Sequence, residues 1–185
     1  MAIKISSITK GVVNIGQHEW KICTRVKLGT WLGYKFETVL DKIVANNLKL
    51  VLIEGDFTAN TDIITVIKEL SNSGYTIIFS TDSGDEVWPM VRFKNVVLSI
   101  LTSIPSDDEV VNYLPHITSY CRWKDEMRFT IKDKWDYTKF REFQKTKNIS
   151  EPLKILEVDQ SYKTAFENII MAELASMDKL IIKYI

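Results

Sequence analysis

Four apolar runs in this chain end in residues that could do chemistry. Glu54-Gly55-Asp56-Phe57 closes one, Ser80-Thr81-Asp82-Ser83-Gly84 a second, Lys132-Asp133 a third and Asp159-Gln160 a fourth. If Glu54, Asp56, Asp82 and Asp133 converge, their carboxylates suit Mg²⁺, a hard cation that prefers oxygen ligands. The plainer explanation is that Asp, Ser and Gly end strands because they make turns. Ser80 or Thr81 could serve as a nucleophile only beside a base, and no pattern supplies one. His18 and His116 stand in QHEW and LPHI, without a second His, Cys or carboxylate at zinc-ligand spacing. GxSxG, GxxxxGK[ST] and GxGxxG are all absent, so acyl transfer and nucleotide hydrolysis lack their common motifs.

A second cluster joins Trp123, Trp135, Tyr137, Phe140 and Phe143 to Arg122, Lys124, Arg128, Lys132, Lys134, Lys139 and Arg141. Rings and cations in one stretch can stack on and neutralise single-stranded nucleic acid. Phe140 and Phe143 fit the buried face of a helix, however, and Asp125, Glu126, Asp133 and Asp136 cancel much of the charge. A core face beside a solvated one is the preferred reading. Cys23 and Cys121 lie far apart, each in an apolar or aromatic stretch, and read as buried thiols rather than a disulfide.

Strands alternating with helices would position these residues. Ile3 to Ile8 opens the chain, and Trp20–Lys27 (WKICTRVK) alternates apolar with polar residues as a half-buried strand does. Tyr34–Val44 places Phe36, Val39, Leu40 and Ile43 on one helical face, and the run Leu48–Ile53 follows. Asp62–Leu70 is an amphipathic helix stopped near Ser73-Gly74, and Tyr75–Phe79 and Asn95–Leu101 are buried strands. Ser106 to Glu109 forms a capping box that opens a helix interrupted by Pro115. Beyond it come a strand at Met127–Ile131, a helix at Tyr137–Lys145, a strand at Leu153–Val158, a helix at Tyr162–Met177 and a last strand at Leu180–Ile185.

Runs as apolar as LVLI and TIIF need cover on both faces, which with short helical crossovers favours parallel pairing. The expected fold class is α/β, a partial (β/α) barrel of about six parallel strands with an N-terminal hairpin; an open doubly wound sheet is the alternative. In both, ligands bind beyond the carboxyl ends of the strands. One domain over residues 1–185 is expected, since 185 residues with 45% hydrophobic and 26% charged suit a single core. The 24 basic residues match the 24 acidic ones, so no overall field recruits nucleic acid or anionic lipid. No apolar run reaches membrane-spanning length, and MAIKISSITKG lacks the core of a secretory signal, so a cytoplasmic location is expected.

The order of these segments resembles the radical S-adenosylmethionine superfamily, and within it the 7-carboxy-7-deazaguanine synthase family. Leu50 to Phe57 (LVLIEGDF) stands where that family's strand ends in Gly-Gly-Glu-Pro against the cofactor's methionyl part. Ser80-Thr81-Asp82-Ser83 is similar to the family's Glu-Thr-Asn-Gly, with Thr81 the clear match, and VVLSIL with Ser99 is similar to the serine-containing strand that follows. EMRFTIKDKWD and LKILEVDQ occupy the places of two later segments. The resemblance spans about Ile3 to Ile185 by order and hydrophobic pattern, and implies the partial barrel.

One departure bears on chemistry. Between strand one and its helix the family carries Cys-x3-Cys-x2-Cys, which holds a 4Fe–4S cluster, whereas this chain has KLGTWLGYK. Two isolated cysteines cannot supply three thiolates from one loop. Neither the cluster nor S-adenosylmethionine is therefore expected, and no catalytic residue carries over. Glu54, Gly55, Asp56, Thr81 and Asp82 stand as ligand-binding candidates.

A non-catalytic scaffold that binds a protein partner or regulates it is the expected function, with a homodimer as a further option. Its interface candidates are Trp31, Trp88 and Trp135, because Trp is enriched at binding hot spots. The alternatives are a small-molecule enzyme with a Mg²⁺-dependent acidic site at the strand ends, or a nucleic-acid-binding protein. The Lys-, Ile- and Asn-rich composition hints at an AT-rich genome such as a phage's.

Overall fold

The computed structural model describes residues 2–13, 20–55, 57, 60–82, 88–102, 121–132, 134–147, 153–158, 172–173, 175–176 and 180–185. They form two compact units, Met1–Ile100 and Leu101–Ile185, of mixed α/β structure with mostly parallel strand pairing. No helix among the described residues is long and apolar enough to cross a membrane.

The first unit starts with an antiparallel hairpin of β1 (Ile3–Val12) and β2 (Ile22–Tyr34). Both strands outrun the sequence expectation because each supplies the other's ladder. Where alternation fails, Leu28, Gly33 and Tyr34 are still paired with the start of β1. The register shifts there: Gly33 faces Lys4 while Leu28 faces Ile5, so residues 29–32 lie opposite a single peptide link. Helix α1 (Phe36–Ala45) then begins two residues later than expected, separated from β2 by Lys35 alone. The segment around Thr30-Trp31-Leu32, expected as a loop, is strand.

Three parallel strands follow in chain order beside β2: β3 (Leu50–Glu54), β4 (Thr76–Thr81) and β5 (Val96–Thr102). Helix α2 (Ile63–Asn72) links β3 to β4, and a short 3-10 turn (Trp88–Arg92) precedes β5. Val51, Leu52, Ile53, Ile77, Ile78 and Phe79 are fully buried, so neighbouring residues with opposite facing are all out of water. That two-sided cover is what uninterrupted apolar strands require. Helix α2 buries Ile63, Val66, Ile67 and Leu70 at helical spacing. Its end is the glycine stop expected: Gly74 has φ +77, and the Tyr75 amide reaches back to the Leu70 carbonyl at 3.0 Å.

The second unit holds β6 (Glu126–Ile131), α3 (Lys134–Lys147), β7 (Leu153–Val158) and β8 (Ile181–Tyr184), with β6, β7 and β8 parallel and again in chain order. Helix α3 covers the face of β6 that carries Phe129, whose ring meets Phe140 at 4.8 Å. Phe143's side chain, the capping box at Ser106 to Glu109, Pro115 and most of the expected helix at 162–177 lie outside the described residues.

Nothing lies within 4 Å of a Cβ built on Gly74, so a substitution there meets backbone strain and no clash. Gly74→Ala is expected to destabilise the protein by ~1–2 kcal/mol in urea unfolding, the cost of a left-handed L-residue. An unchanged midpoint would show that the turn relaxes freely.

Candidate functional site

Register decides which strand-end residues meet. Lys27, Glu54, Ser80 and Ser99 are successive partners across β2, β3, β4 and β5, so their side chains share one face at one height. One step earlier on that face stand Arg25, Leu52, Ile78 and Val97. Cys23 follows below Arg25 and packs with Leu52, Ile78 and Val13 in a buried apolar cluster. The face is thus apolar toward the amino ends of the strands and polar toward their carboxyl ends.

Arg25 reaches diagonally to Glu54, donating from Nε at 3.1 Å and Nη2 at 2.8 Å to the same carboxylate oxygen. Its stem crosses Gly11, where a Cβ would stand 2.7 Å from the Arg25 Cδ. Glu54 therefore arrives neutralised by a guanidinium, which weakens it as a metal ligand. Immediately after it the chain turns at Gly55, with φ +124 and its amide donating to the Ser80 carbonyl at 3.1 Å. A Cβ on Gly55 would lie 3.1 Å from that of Leu28, so glycine serves both the conformation and the close approach. The Ser99 hydroxyl is buried without a hydrogen-bond partner among the described residues.

Of the residues singled out from sequence, Glu54 and Gly55 come together here. Thr81 is buried, but alternation puts it on the face opposite Glu54, paired with Ile100. Asp82 is exposed just past β4. Asp56, Asp133, Asp159, His18 and His116 lie outside the described residues, and among those described no group of three or more His, Cys, Asp or Glu could hold a metal ion. Trp31 falls within β2 and Trp88 opens the 3-10 turn, their rings lying outside what is described. Trp135 on α3 is 66% exposed, with the Lys139 ammonium 5.9 Å from its ring centre.

The second unit repeats the diagonal. Arg128 on β6 donates from Nη1 to Glu157 on β7 at 3.0 Å, each side chain only 7% exposed. Arg25 and Glu54 are 29 residues apart, and so are Arg128 and Glu157. In both units the arginine stands in register with the residue two before the glutamate, Leu52 and Ile155. The flanking sequences agree, LVLIEGD at 50–56 with LKILEVD at 153–159. Sequence reasoning missed Arg25 and read Arg128 only as part of the basic cluster, although this repeated Arg-to-Glu spacing was available as a signal.

Neither cysteine is poised as a reactive thiol. Burial pushes the Cys23 thiol above its usual range, with Glu54 adding to the rise while Arg25 and a backbone hydrogen bond at Leu52 oppose it. Cys121 is pushed up to about 12, by burial first and then by the adjacent Asp125 carboxylate, against Arg122. Asp125 itself is clasped by the Arg122 amide and guanidinium at 2.8 Å.

Two outcomes follow from these contacts. Glu157→Ala removes a carboxylate from a buried ion pair and is expected to cost ~3–5 kcal/mol, whereas Glu54→Ala, at the more exposed pair, should cost ~1 kcal/mol or less in the same urea experiment. Because both thiols have folded pKa values above the unfolded one near 8.5, their contribution to stability is full below about pH 8.5 and lost as pH rises toward the folded values. The native chain should accordingly leave both thiols unmodified by a disulfide reagent at mildly alkaline pH, with reaction appearing on unfolding. No protein-family model matches this chain, and no curated protein matches it either.

Proposed function

We propose that this protein is a non-catalytic scaffold of the radical S-adenosylmethionine type, built as a partial βα barrel over one domain of residues 1–185 and acting by binding a protein partner. The observation that carries this reading is the continuity of β2 through Tyr34, with Lys35 alone before α1. The resembled family needs a three-cysteine loop at that place, and here the segment is strand, paired with β1 at Leu28, Gly33 and Tyr34. Two cysteines are fewer than the three thiolates such a loop supplies, which supports the reading.

Strand order supports the scaffold half of the proposal. From β2 to β5, and again from β6 to β8, neighbours in the sheet are neighbours in the chain, with no reversal within either unit. A doubly wound sheet reverses its order at a switch point, and a βα barrel does not. The Arg25–Glu54 pair weighs against the Mg²⁺-dependent alternative, since it satisfies one of the carboxylates that alternative needs. The proposal includes a cytoplasmic location and neither a cluster nor S-adenosylmethionine as cofactor.

Trp135 is the member of the expected interface set whose exposure is seen, and a ring held in water under a lysine is a suitable anchor. Affinity capture of the tagged full chain at native expression, followed by mass spectrometry, is expected to recover one dominant partner, with Trp135→Ala reducing its recovery about tenfold. Recovery of nothing above control would contradict the reading.

A further inference from the structure

The β1–β2 hairpin is predominantly basic. Residues 1–34 contain Lys4, Lys10, Lys21, Arg25 and Lys27 against the single acidic Glu19, in a chain with 24 basic and 24 acidic residues overall. At the open end of its ladder an apolar surface stands in water. Val12 and Ile22 are direct cross-strand partners, hence on one face, and are 41% and 66% exposed. Trp20 lies beside them, 85% exposed, its amide donating to the Val13 carbonyl at 3.1 Å.

Trp20 also has φ +66. A bulky L-residue is strained in that region, which glycine or asparagine would occupy at less cost. A ring so exposed gains little from its own fold to offset that strain. Among the described residues, moreover, β1 is an outer strand paired only with β2. Its first residues are covered, since Ile3 and Ile5 are buried and the Lys4 amide is taken by the Asn60 side chain. Over residues 6–12 no strand among the described residues pairs with that edge, and an antiparallel strand aims alternate N–H and C=O groups away from its partner.

We infer that the outer edge of β1 at residues 6–12, with Trp20, Ile22 and Val12, is a docking site for an extended, acidic segment of a partner protein that adds to the sheet as a further strand. The inference rests on the protein-binding reading above and gives it a surface and a partner chemistry. Main-chain bonds to the edge supply register, apolar side chains cover Trp20, Ile22 and Val12, and carboxylates meet the hairpin's lysines, Arg25 being taken by Glu54. A nucleic acid fits less well. Val12 and Ile22 add no second ring to Trp20 for successive bases to stack on, and edge carbonyls repel phosphates, whereas a peptide strand uses both.

The test uses the full chain and a fluorescein-labelled ten-residue peptide, the length of β1, that alternates Glu with Val or Ile, followed by anisotropy. Saturable binding is expected, weakening as salt is raised because the hairpin's field is screened. Trp20→Asn combined with Ile22→Thr should reduce affinity ~10-fold or more, as loss of a central aromatic anchor does. The same variant should melt no lower than the parent, since asparagine accepts the positive φ and threonine keeps the strand; this separates lost docking from lost folding. Absence of saturable binding, equal binding of the Lys-containing counterpart, or tighter binding of a single-stranded oligonucleotide would each overturn the inference. If the peptide fails while partner capture still depends on Trp135, the protein-binding reading stands and only this surface is wrong; if capture fails as well, both fall.

Discussion

Burial of both faces of the central parallel strands is the constraint on which the rest depends. Leu52 and Ile53, or Ile78 and Phe79, point in opposite directions and are all removed from water. A polar group on such a strand must be paired or must sit at its end. Glu54 meets both conditions, as the last residue of β3 and the acceptor of the Arg25 guanidinium. The second unit meets the same constraint with Arg128 and Glu157, more deeply buried. An arginine two register steps short of a glutamate on the next parallel strand is thus the device used twice to carry charge into a covered sheet. In each case one residue is contributed by each of two strands joined through a helix, so the pair also ties the crossover's ends together.

The same constraint explains why the hairpin differs from everything after it. Only β3, β4 and β5 of the first unit have both sides of their ladders or both faces enclosed along most of their length. The far half of β1 and the start of β2 have neither, and there the chain places lysines, an open edge and a strained, exposed Trp20. Charges concentrated at an edge normally block unwanted pairing. Here lysines of one sign accompany exposed apolar side chains, so the edge rejects like-charged strands while remaining attractive to acidic ones. On the proposed reading, binding and folding use separate parts of the unit.

Much of the fold was legible in the sequence because the signals were local. The runs LVLI, YTIIF and NVVLSIL mark β3, β4 and β5 to within two residues, and Ser73-Gly74 marks the end of α2. The reach of β2 was not legible. Gly29 and Gly33 interrupt its alternation, the register shifts beside them, and the pairs with β1 at Leu28, Gly33 and Tyr34 are long-range contacts that no local pattern announces. For the site, Glu54 and Gly55 could be read as strand-end residues, but facing could not. Glu54 aligns with Ser80, so Thr81 points away, and no sequence pattern specifies that alignment. Arg25 lay hidden in an ordinary alternating strand, and Trp20 looked like the first residue of that strand rather than a strained residue outside it.

The central claim is that a scaffold resembling a radical enzyme has given up that chemistry and kept its core. Anaerobic incubation of the full chain with iron and sulfide, then with S-adenosylmethionine and a strong reductant, tests it most directly. The account predicts no bound iron after desalting and no 5′-deoxyadenosine. A retained iron–sulfur chromophore together with cleavage of S-adenosylmethionine would contradict it.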